Sequence, residues 1–250
     1  MDSAQQKQYN VLLIGDSCLD TYTYTTVDRI SPEAPVPVCK IIHEFTKPGM
    51  AANVKENLEA LGCNVNFLTG ELSKKTRIID KRSNQHMLRI DDDEMSKPID
   101  TDWLQYDNMD AVVLSDYNKG LLTYDNICEI IVICRALDIP IFIDTKKTDL
   151  QHFNGSFVKI NQLEYETASS YNDNMIVTMG GDSVQYNNKK YHVPKTDVVD
   201  VCGAGDTFLS ALTFGYLKEG NIDRAIPFAI KAASKTVQKM GVYAPKLEEL

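Results

Sequence analysis

The stretch DVVDVCGAGDTFLSAL, residues 197–212, is the part of the sequence on which the prediction of the fold depends most. A short β-type run (Val198, Val199 and Val201) precedes a turn formed by Gly203, Ala204 and Gly205, and a helical pattern of apolar residues follows Asp206. Glycines allow close approach to the backbone, and the first turn of a helix has N–H groups without partners. The stretch therefore predicts a turn that binds an anion.

Asp206 places a carboxylate at this predicted anion site. A carboxylate repels a phosphate, so its position favours a base that accepts the proton of a hydroxyl group attacking that phosphate. The alternative is an aspartate that only caps the helix behind a flexible turn. From the stretch alone, both interpretations stay open.

The composition predicts an ordinary globular protein with one large core. The chain has 250 residues, of which 43% are hydrophobic and 24% are charged. Its formal net charge of −9 disfavours nucleic acid and anionic membranes as partners. The six cysteines show no C-x-x-C spacing, the N-terminal MDSAQQKQYN has no apolar segment, and no apolar run reaches about 18 residues. We therefore expect reduced thiols and a cytoplasmic location.

Several short apolar runs end in polar residues, which predicts an open α/β sheet. Val11–Ile14 leads into Gly15-Asp16, and similar runs follow at 111–114, 139–143, 157–160 and 175–178. Helical patterns lie at 124–137 and 162–170. Ligands of such sheets bind beyond the carboxyl ends of the strands, so we expect one shared crevice there. Asp16 and the nearby Asp20 are candidates to face a polyhydroxylated substrate, or else they only form turns.

Two β-rich segments interrupt this pattern, at about 21–45 and 76–91. The first contains three prolines in SPEAPVPV, which favours exposed edge strands, and the second has a polar turn at Ser83-Asn84. We expect them to form a small sheet that covers the site as a lid. Between them, Pro48-Gly49 precedes an amphipathic helix with Asn53 in its first turns.

The remaining patterns predict a hairpin and a last helix. Residues 183–186 and 191–193 flank Asn187-Asn188, and Asp223 is the expected N-cap of a helix that runs to about Met240. No repeat or linker divides the sequence, so we expect a single domain over residues 1–250.

Several motifs together resemble those of a known enzyme family. The segment DVCGAGDTFLSA, residues 200–211, resembles the C-terminal signature of the ribokinase-like (PfkB) carbohydrate kinases, and PGMAAN, residues 48–53, resembles their N-terminal one. The segments GDSCLDTY, RISPEAPVPV, LRIDDDE, LSDYNKG and IDTKKTD are similar, more narrowly, to the bacterial D-glycero-β-D-manno-heptose-7-phosphate kinases. The resemblance extends over nearly the whole sequence.

The resemblance implies a three-layer α/β/α sandwich with a mostly parallel sheet and a β-sheet lid. It implies transfer of the γ-phosphoryl group of ATP to the anomeric hydroxyl of heptose 7-phosphate, with Mg²⁺. Asp206 would be the base, and Gly203, Ala204 and Gly205 would form the anion hole. The implied substrate-binding residues are Asp16, Asp20, Gly49, Asn53, Arg89 and Lys119. The implied nucleotide-binding residues are Asn161, Glu164, Thr178, Gly180, Gly181 and Lys146, of which Asn161 and Glu164 would hold Mg²⁺ through water or else only cap a helix.

The sequence also departs from the family pattern. It is some tens of residues shorter, chiefly around 70–75 and 170–174, and Met50 stands where a second glycine is usual. Three interpretations follow: the heptose kinase, a kinase for another sugar or sugar phosphate, and a catalytically silent member that binds sugar or nucleotide. No adenylyl transfer is expected, because the H-x-G-H signature is absent. Family members often pair through their lids, and the proline-rich segment 31–38 would suit a homodimer contact.

Overall fold

The main body of the protein is an eight-stranded sheet. The computed structural model describes residues 7–250. The strands of this sheet lie in the order β12-β11-β10-β9-β8-β7-β1-β4. Their bounds are Asn10–Gly15 (β1), Asn64–Leu68 (β4), Ala111–Asp116 (β7), Ile141–Thr145 (β8), Phe157–Asn161 (β9), Met175–Met179 (β10), Ser183–Tyr186 (β11) and Lys189–His192 (β12).

The six neighbouring strands β10, β9, β8, β7, β1 and β4 are all parallel, so their carboxyl ends meet at one edge. In the centre, β1 pairs with β4 on one side and with β7 on the other, and Leu13 lies opposite Phe67 and Val113. In the part of this sheet that the structure describes, β11 is antiparallel to both of its neighbours, β10 and β12, and the turn residues Asn187 and Asn188 of the hairpin both have positive φ. The predicted mostly parallel sheet is therefore confirmed, together with the predicted hairpin.

Helices cover both faces of this sheet. Their bounds are Ala51–Ala60 (α1), Tyr124–Ala136 (α2), Gln162–Thr167 (α3), Ala204–Glu219 (α4) and Ile222–Thr236 (α5). Val11 and Leu13 pack into the core that contains residues of α1, α4 and α5, whereas Leu12 and Ile14 pack into the core that contains α2. Because neighbouring residues of a strand point to opposite faces, β1 is apolar throughout, and the three-layer α/β/α sandwich is confirmed.

A second sheet of four strands lies beside the first and corresponds to the predicted lid. Its order is β3-β2-β5-β6, with bounds Ser17–Ile30 (β2), Pro37–Met50 (β3), Ser73–Asp80 (β5) and Gln85–Asp92 (β6). The predicted segments 21–45 and 76–91 were therefore too short at both ends. No loop separates the lid from the core at two places: only Asp16 lies between β1 and β2, and α1 begins directly after β3.

Four details of the sequence-based expectation are wrong. Val198, Val199 and Val201 form no strand; their side chains are exposed, because the segment has no neighbouring strand to pair with. Helix α3 ends at Thr167 instead of Ser170, and α5 ends at Thr236 instead of near Met240. The cap of α5 is Asn221, whose side chain accepts from the Arg224 amide, and not Asp223.

No helix within residues 7–250 is long and apolar enough to cross a membrane.

Candidate active site

The turn before α4 has the geometry of an anion site. Gly203 adopts φ +77°, and a Cβ atom there would lie 2.8 Å from Asn53 Nδ2, so glycine is required on both grounds. The Ala204 amide donates to Val201 O at 3.3 Å. Within residues 7–250, the amides of Gly205 and Asp206 donate to no oxygen atom. Two N–H groups at the positive end of a 16-residue helix are thus free to bind an anion.

Asp206 lies in the first turn of α4, and its side chain is buried. Its Oδ2 accepts from Asn53 Nδ2 at 2.7 Å, and its Oδ1 accepts from the Tyr117 hydroxyl at 3.1 Å. Burial raises the pKa of Asp206 to about 6, although the hydrogen bond from Asn53 acts in the opposite direction. A carboxyl group with this pKa is ionised at neutral pH and remains basic enough to take a proton.

Asp16 and Asn53 lie on the lid side of Asp206. Asp16, between β1 and β2, accepts from the amides of Tyr117 and Lys119 through one oxygen atom. Its other oxygen is buried and has no partner within residues 7–250. Burial raises the pKa of Asp16. An unsatisfied buried acceptor next to the lid is suited to a hydroxyl donor of a ligand.

Asp20 and Gly49 lie close together on the paired strands β2 and β3, where Gly49 is opposite Cys18 and Asp20 is opposite Lys47. Asp20 forms an ion pair with Arg77 of β5. A Cβ atom on Gly49 would lie 2.3 Å from Asp20 Oδ2, so only glycine leaves room for this carboxylate. Of the four residues expected at the sugar hydroxyls, Asn53 contacts Asp206 directly, whereas Asp20 is engaged by Arg77.

A cavity of about 770 Å³ lies on the other side of Asp206, against the carboxyl edge of the large sheet. It is lined by residues of the Gly203–Asp206 turn and by all but one of the residues expected to bind nucleotide. These lining residues are Lys146, Asn161, Thr178, Gly180, Gly181, Gly203, Ala204, Gly205 and Asp206. The exception is Glu164. The volume is in the range of pockets that hold a ligand of nucleotide size.

Asn161 and Glu164 form a reciprocal capping box at the start of α3. The Glu164 amide donates to Asn161 Oδ1 at 2.9 Å, and the Asn161 amide donates to Glu164 Oε2 at 2.8 Å. Glu164 also pairs with Lys146. The capping alternative is therefore observed, and the side-chain oxygen of Asn161 and both carboxylate oxygens of Glu164 have partners within the protein.

The donor set fits Mg²⁺ better than a metal that requires a full protein cage. Oxygen atoms of Asn161 and Glu164 are the hard ligands that Mg²⁺ prefers. No group of three or more acidic, histidine or cysteine side chains suited to a metal was found in the part of the chain that the structure describes. Mg²⁺ usually keeps several waters and binds phosphate oxygens, so such a sparse set suffices for it.

The cations expected at the phosphates of the ligands have different surroundings. Arg89 pairs with Asp91 on the exposed strand β6, and Lys119 pairs with Asp93. Lys75, which the sequence did not single out, forms no ion pair within residues 7–250; its Nζ lies 3.4 Å from Met50 Sδ and 5.8 Å from the centre of the Tyr117 ring.

The structure adds residues to the site that the sequence reasoning missed: Lys75, Arg77, Tyr117 and Lys159. Asp144, next to the last residue of β8, was expected only as one of the polar residues around the shared crevice. Of the missed residues, Lys159 carried a usable signal, because it is the one charged residue inside the apolar run FVKIN. A charge within a buried strand indicates a specific partner, which here is Asp144, with Lys159 Nζ 2.6 Å from Asp144 Oδ2.

Several curated relatives of this chain carry the name bifunctional protein HldE. The protein of this name from Campylobacter jejuni strain RM1221 is 28% identical over 303 alignment positions, which cover 100% of this chain and 66% of the relative. The one from Campylobacter curvus is 32% identical, with coverage of 94% and 63%. This chain spans slightly less than two thirds of the length of these relatives.

Solved structures with the same fold include two ribokinases. The Thermotoga maritima ribokinase has a TM-score of 0.70 at 16% identity, covering 96% of this chain and 97% of the other. The Arabidopsis thaliana ribokinase, complexed with ribose and ATP, has a TM-score of 0.73 at 13% identity, covering 97% of both chains. These similarities establish the ribokinase-like fold.

The family model of the pfkB family carbohydrate kinases matches residues 50–250. The match begins at Met50, includes most of the N-terminal motif and all of the C-terminal one, and extends to the last residue. Members of this family are phosphotransferases that use ATP and act on an alcohol group of a carbohydrate. This chain belongs to the pfkB family of carbohydrate kinases.

Proposed function

We propose that this protein transfers the γ-phosphoryl group of ATP to the anomeric hydroxyl of D-glycero-β-D-manno-heptose 7-phosphate, giving the 1,7-bisphosphate. The observation that carries the proposal is the buried Asp206 next to two free amides, with the nucleotide cavity on one side and the lid on the other. The similarity of RISPEAPVPV and LSDYNKG to heptose-7-phosphate kinases supports this particular sugar, as do the relatives named HldE.

In this proposal Asp206 accepts the proton of the attacking hydroxyl. Asn53 and Tyr117 donate to its two oxygen atoms and thereby fix the plane of the carboxylate. The amides of Gly205 and Asp206 donate to the oxygens of the phosphoryl group as charge moves between the donor and the acceptor. Asn161 and Glu164 would hold Mg²⁺ through water, and the ion would supply positive charge to the phosphates of the nucleotide.

Asp206→Asn tests the assignment of the base. General-base catalysis contributes roughly 10²–10⁴-fold, so we expect turnover to fall by about that factor while the sugar and ATP still bind. ADP release gives the rate, and a thermal-shift titration of each ligand gives the binding. Asp223→Asn, on the surface at the start of α5, is the matched control and is expected to keep full turnover. Unchanged turnover in Asp206→Asn contradicts the assignment.

A kinase for a different sugar is the second candidate, and the length of the chain favours keeping it. The alignment with the Campylobacter jejuni relative has 303 positions, which exceeds the 250 residues of this chain by 53. A shortened chain has fewer surfaces with which to select a sugar. ADP release on a panel of sugars and sugar phosphates separates the candidates: failure on heptose 7-phosphate with turnover on another sugar selects the second. Binding of sugar and ATP without ADP release on any sugar selects the catalytically silent member.

We also propose that two copies of the chain pair through their lids. The lid exposes large apolar side chains, including Ile30, Val36, Ile41 and Leu88. Exposed apolar side chains in this number favour a protein contact.

A further inference from the structure

Lys159 is a buried cation that the proposed mechanism does not use. It lies on β9, directly in register with Asp144 of β8, and its side chain is 6% exposed. Its ammonium group donates to Asp144 Oδ2 at 2.6 Å, and this is its only hydrogen bond within residues 7–250. An ammonium group has three donors, so two remain without a partner.

These two donors lie at the nucleotide cavity. Lys159, Asp144 and Asp206 all line it. A Cβ atom on Gly205 would lie 3.0 Å from Lys159 Nζ, so the ammonium group sits next to the residue whose amide is free. The glycine leaves room for the ammonium group at the start of α4. The ammonium group of Lys159 thus lies close to the free amides of Gly205 and Asp206 in the lining of the cavity.

The alternative is that Lys159 only neutralises Asp144. Burial alone would lower the pKa of Lys159, but the charge of Asp144, its hydrogen bond and the charges of Glu164 and Asp206 together raise it, so the ammonium group stays charged. Neutralisation accounts for the ion pair. It does not account for two unused donors in a cavity, and buried pairs of this kind contribute little to stability compared with apolar residues of the same size.

We propose that Lys159 binds the terminal phosphoryl group of the nucleotide together with the Gly205 and Asp206 amides, and that Asp144 holds it in position; this rests on the proposed kinase function. During transfer, the bond from the γ-phosphorus to its bridging oxygen breaks and a bond to the sugar oxygen forms. The sugar proton passes to Asp206, the bridging oxygen leaves on ADP, and Lys159 remains protonated throughout.

The test compares a nucleotide that has the terminal phosphate with one that lacks it. The probes are the β,γ-imido analogue of ATP and AMP, with binding measured by calorimetry. The variants are Lys159→Met and the double variant Asp144→Asn/Lys159→Met, which leaves no unpaired buried charge and keeps the test valid where the single variant does not fold. Lys189→Met, on the exposed strand β12, is the control.

We expect the double variant to bind the imido analogue about 10- to 100-fold more weakly than the wild type, because a charge-assisted hydrogen bond is lost, and to bind AMP with unchanged affinity. Turnover on the active sugar is expected to fall by about 10²–10³-fold. Wild-type affinity of the double variant for the imido analogue overturns the proposal. Absence of turnover in the wild type contradicts the proposed function instead, and the binding comparison still decides the role of Lys159.

Discussion

The carboxyl edge of the large sheet and the inner face of the lid differ in how their charges are paired. At the sheet edge two buried carboxylates have a lysine as partner: Asp144 has Lys159, and Asp116 has Lys147. On the lid, Lys75 has no carboxylate partner within residues 7–250, although Asp20 and Arg77 beside it are paired. The sheet edge thus pairs these charges internally, whereas the lid presents a cation that the charge of a ligand can pair.

The large sheet and the lid also differ in how deeply their strands are buried. Every residue of β7 is buried, whereas every residue of β6 is exposed. A strand that is buried on both faces contributes to the free energy of unfolding along its whole length, whereas an exposed strand contributes little. We infer that substitutions in the large sheet change stability, and that substitutions on the lid change binding.

The largest expected effect is on stability. Leu12→Ala removes a side chain that is 0% exposed, so we expect the free energy of unfolding to fall by about 2–5 kcal/mol. Ile90→Ala on β6 removes a side chain that is 49% exposed, and we expect a loss within about 0.5 kcal/mol. Urea unfolding measures both. Similar losses for the two variants contradict the distinction between the regions.

The second largest effect is expected on the binding of the sugar. Lys75→Met is expected to raise KM for a phosphorylated sugar by about tenfold or more, because a charge-assisted contact to the phosphate is lost, while KM for ATP stays unchanged. Lys74→Met is the matched control: Lys74 is the preceding residue on the same strand and points to the opposite face. An equal rise in KM for both variants, or a rise in KM for ATP, removes Lys75 from the sugar side of the site.

A smaller effect concerns pH. With its pKa raised to about 6 by burial, Asp206 is ionised above that pH, so we expect the rate to fall as pH drops through about 6. Tyr117→Phe removes a hydrogen bond that favours the ionised form, so the acid limb should move to higher pH by a fraction of a unit. The pH profile of kcat/KM measures the shift. A shift of the acid limb to lower pH in Tyr117→Phe would contradict the proposed stabilisation of ionised Asp206 by Tyr117. The control variant Lys74→Met is expected to leave the acid limb unchanged.

The smallest effect on activity is expected from the outer part of the lid. Ile41 is 68% exposed, and Ile41→Asp should convert a lid-paired dimer into a monomer with turnover nearly unchanged. Sedimentation measures the mass of both proteins. A monomeric mass for the wild type contradicts the pairing.

The sequence predicted the large sheet well because its signal is local. Apolar runs such as Val11–Ile14 are buried on both faces, and the polar residues after them lie at one edge as expected. The prediction of a strand at the valine run before Gly203 is wrong because β propensity reflects packing against neighbouring strands, and this segment has no such neighbour. Asn221 and Asp223 are both plausible caps, and only the three-dimensional contacts of Asp223 with Lys189 and Tyr191 distinguish them.

The candidate site was predicted only in part for a similar reason. Asp206 and its glycines stand in one short motif, so their proximity follows from the sequence. Lys75, Tyr117 and Lys159 come from three separate strands or strand ends, and nothing in their local spacing indicates that they meet. Arg89 and Lys119 were expected to bind the phosphates of the ligands, and each has an acidic partner that only the fold reveals.

Met50 joins the lid to the core without a loop. It has φ +59°, which is unfavourable for a residue with a side chain, and it ends β3 immediately before the helix that carries Asn53. We expect a rotation of the lid about this residue to turn the start of α1, and with it the Asn53 side-chain amide that donates to Asp206. The position of the lid would then change the pKa of Asp206. Met50→Gly would remove the unfavourable backbone conformation at this residue. The pH at which the rate falls on the acid side would then depend on the position of the lid as well as on Asp206.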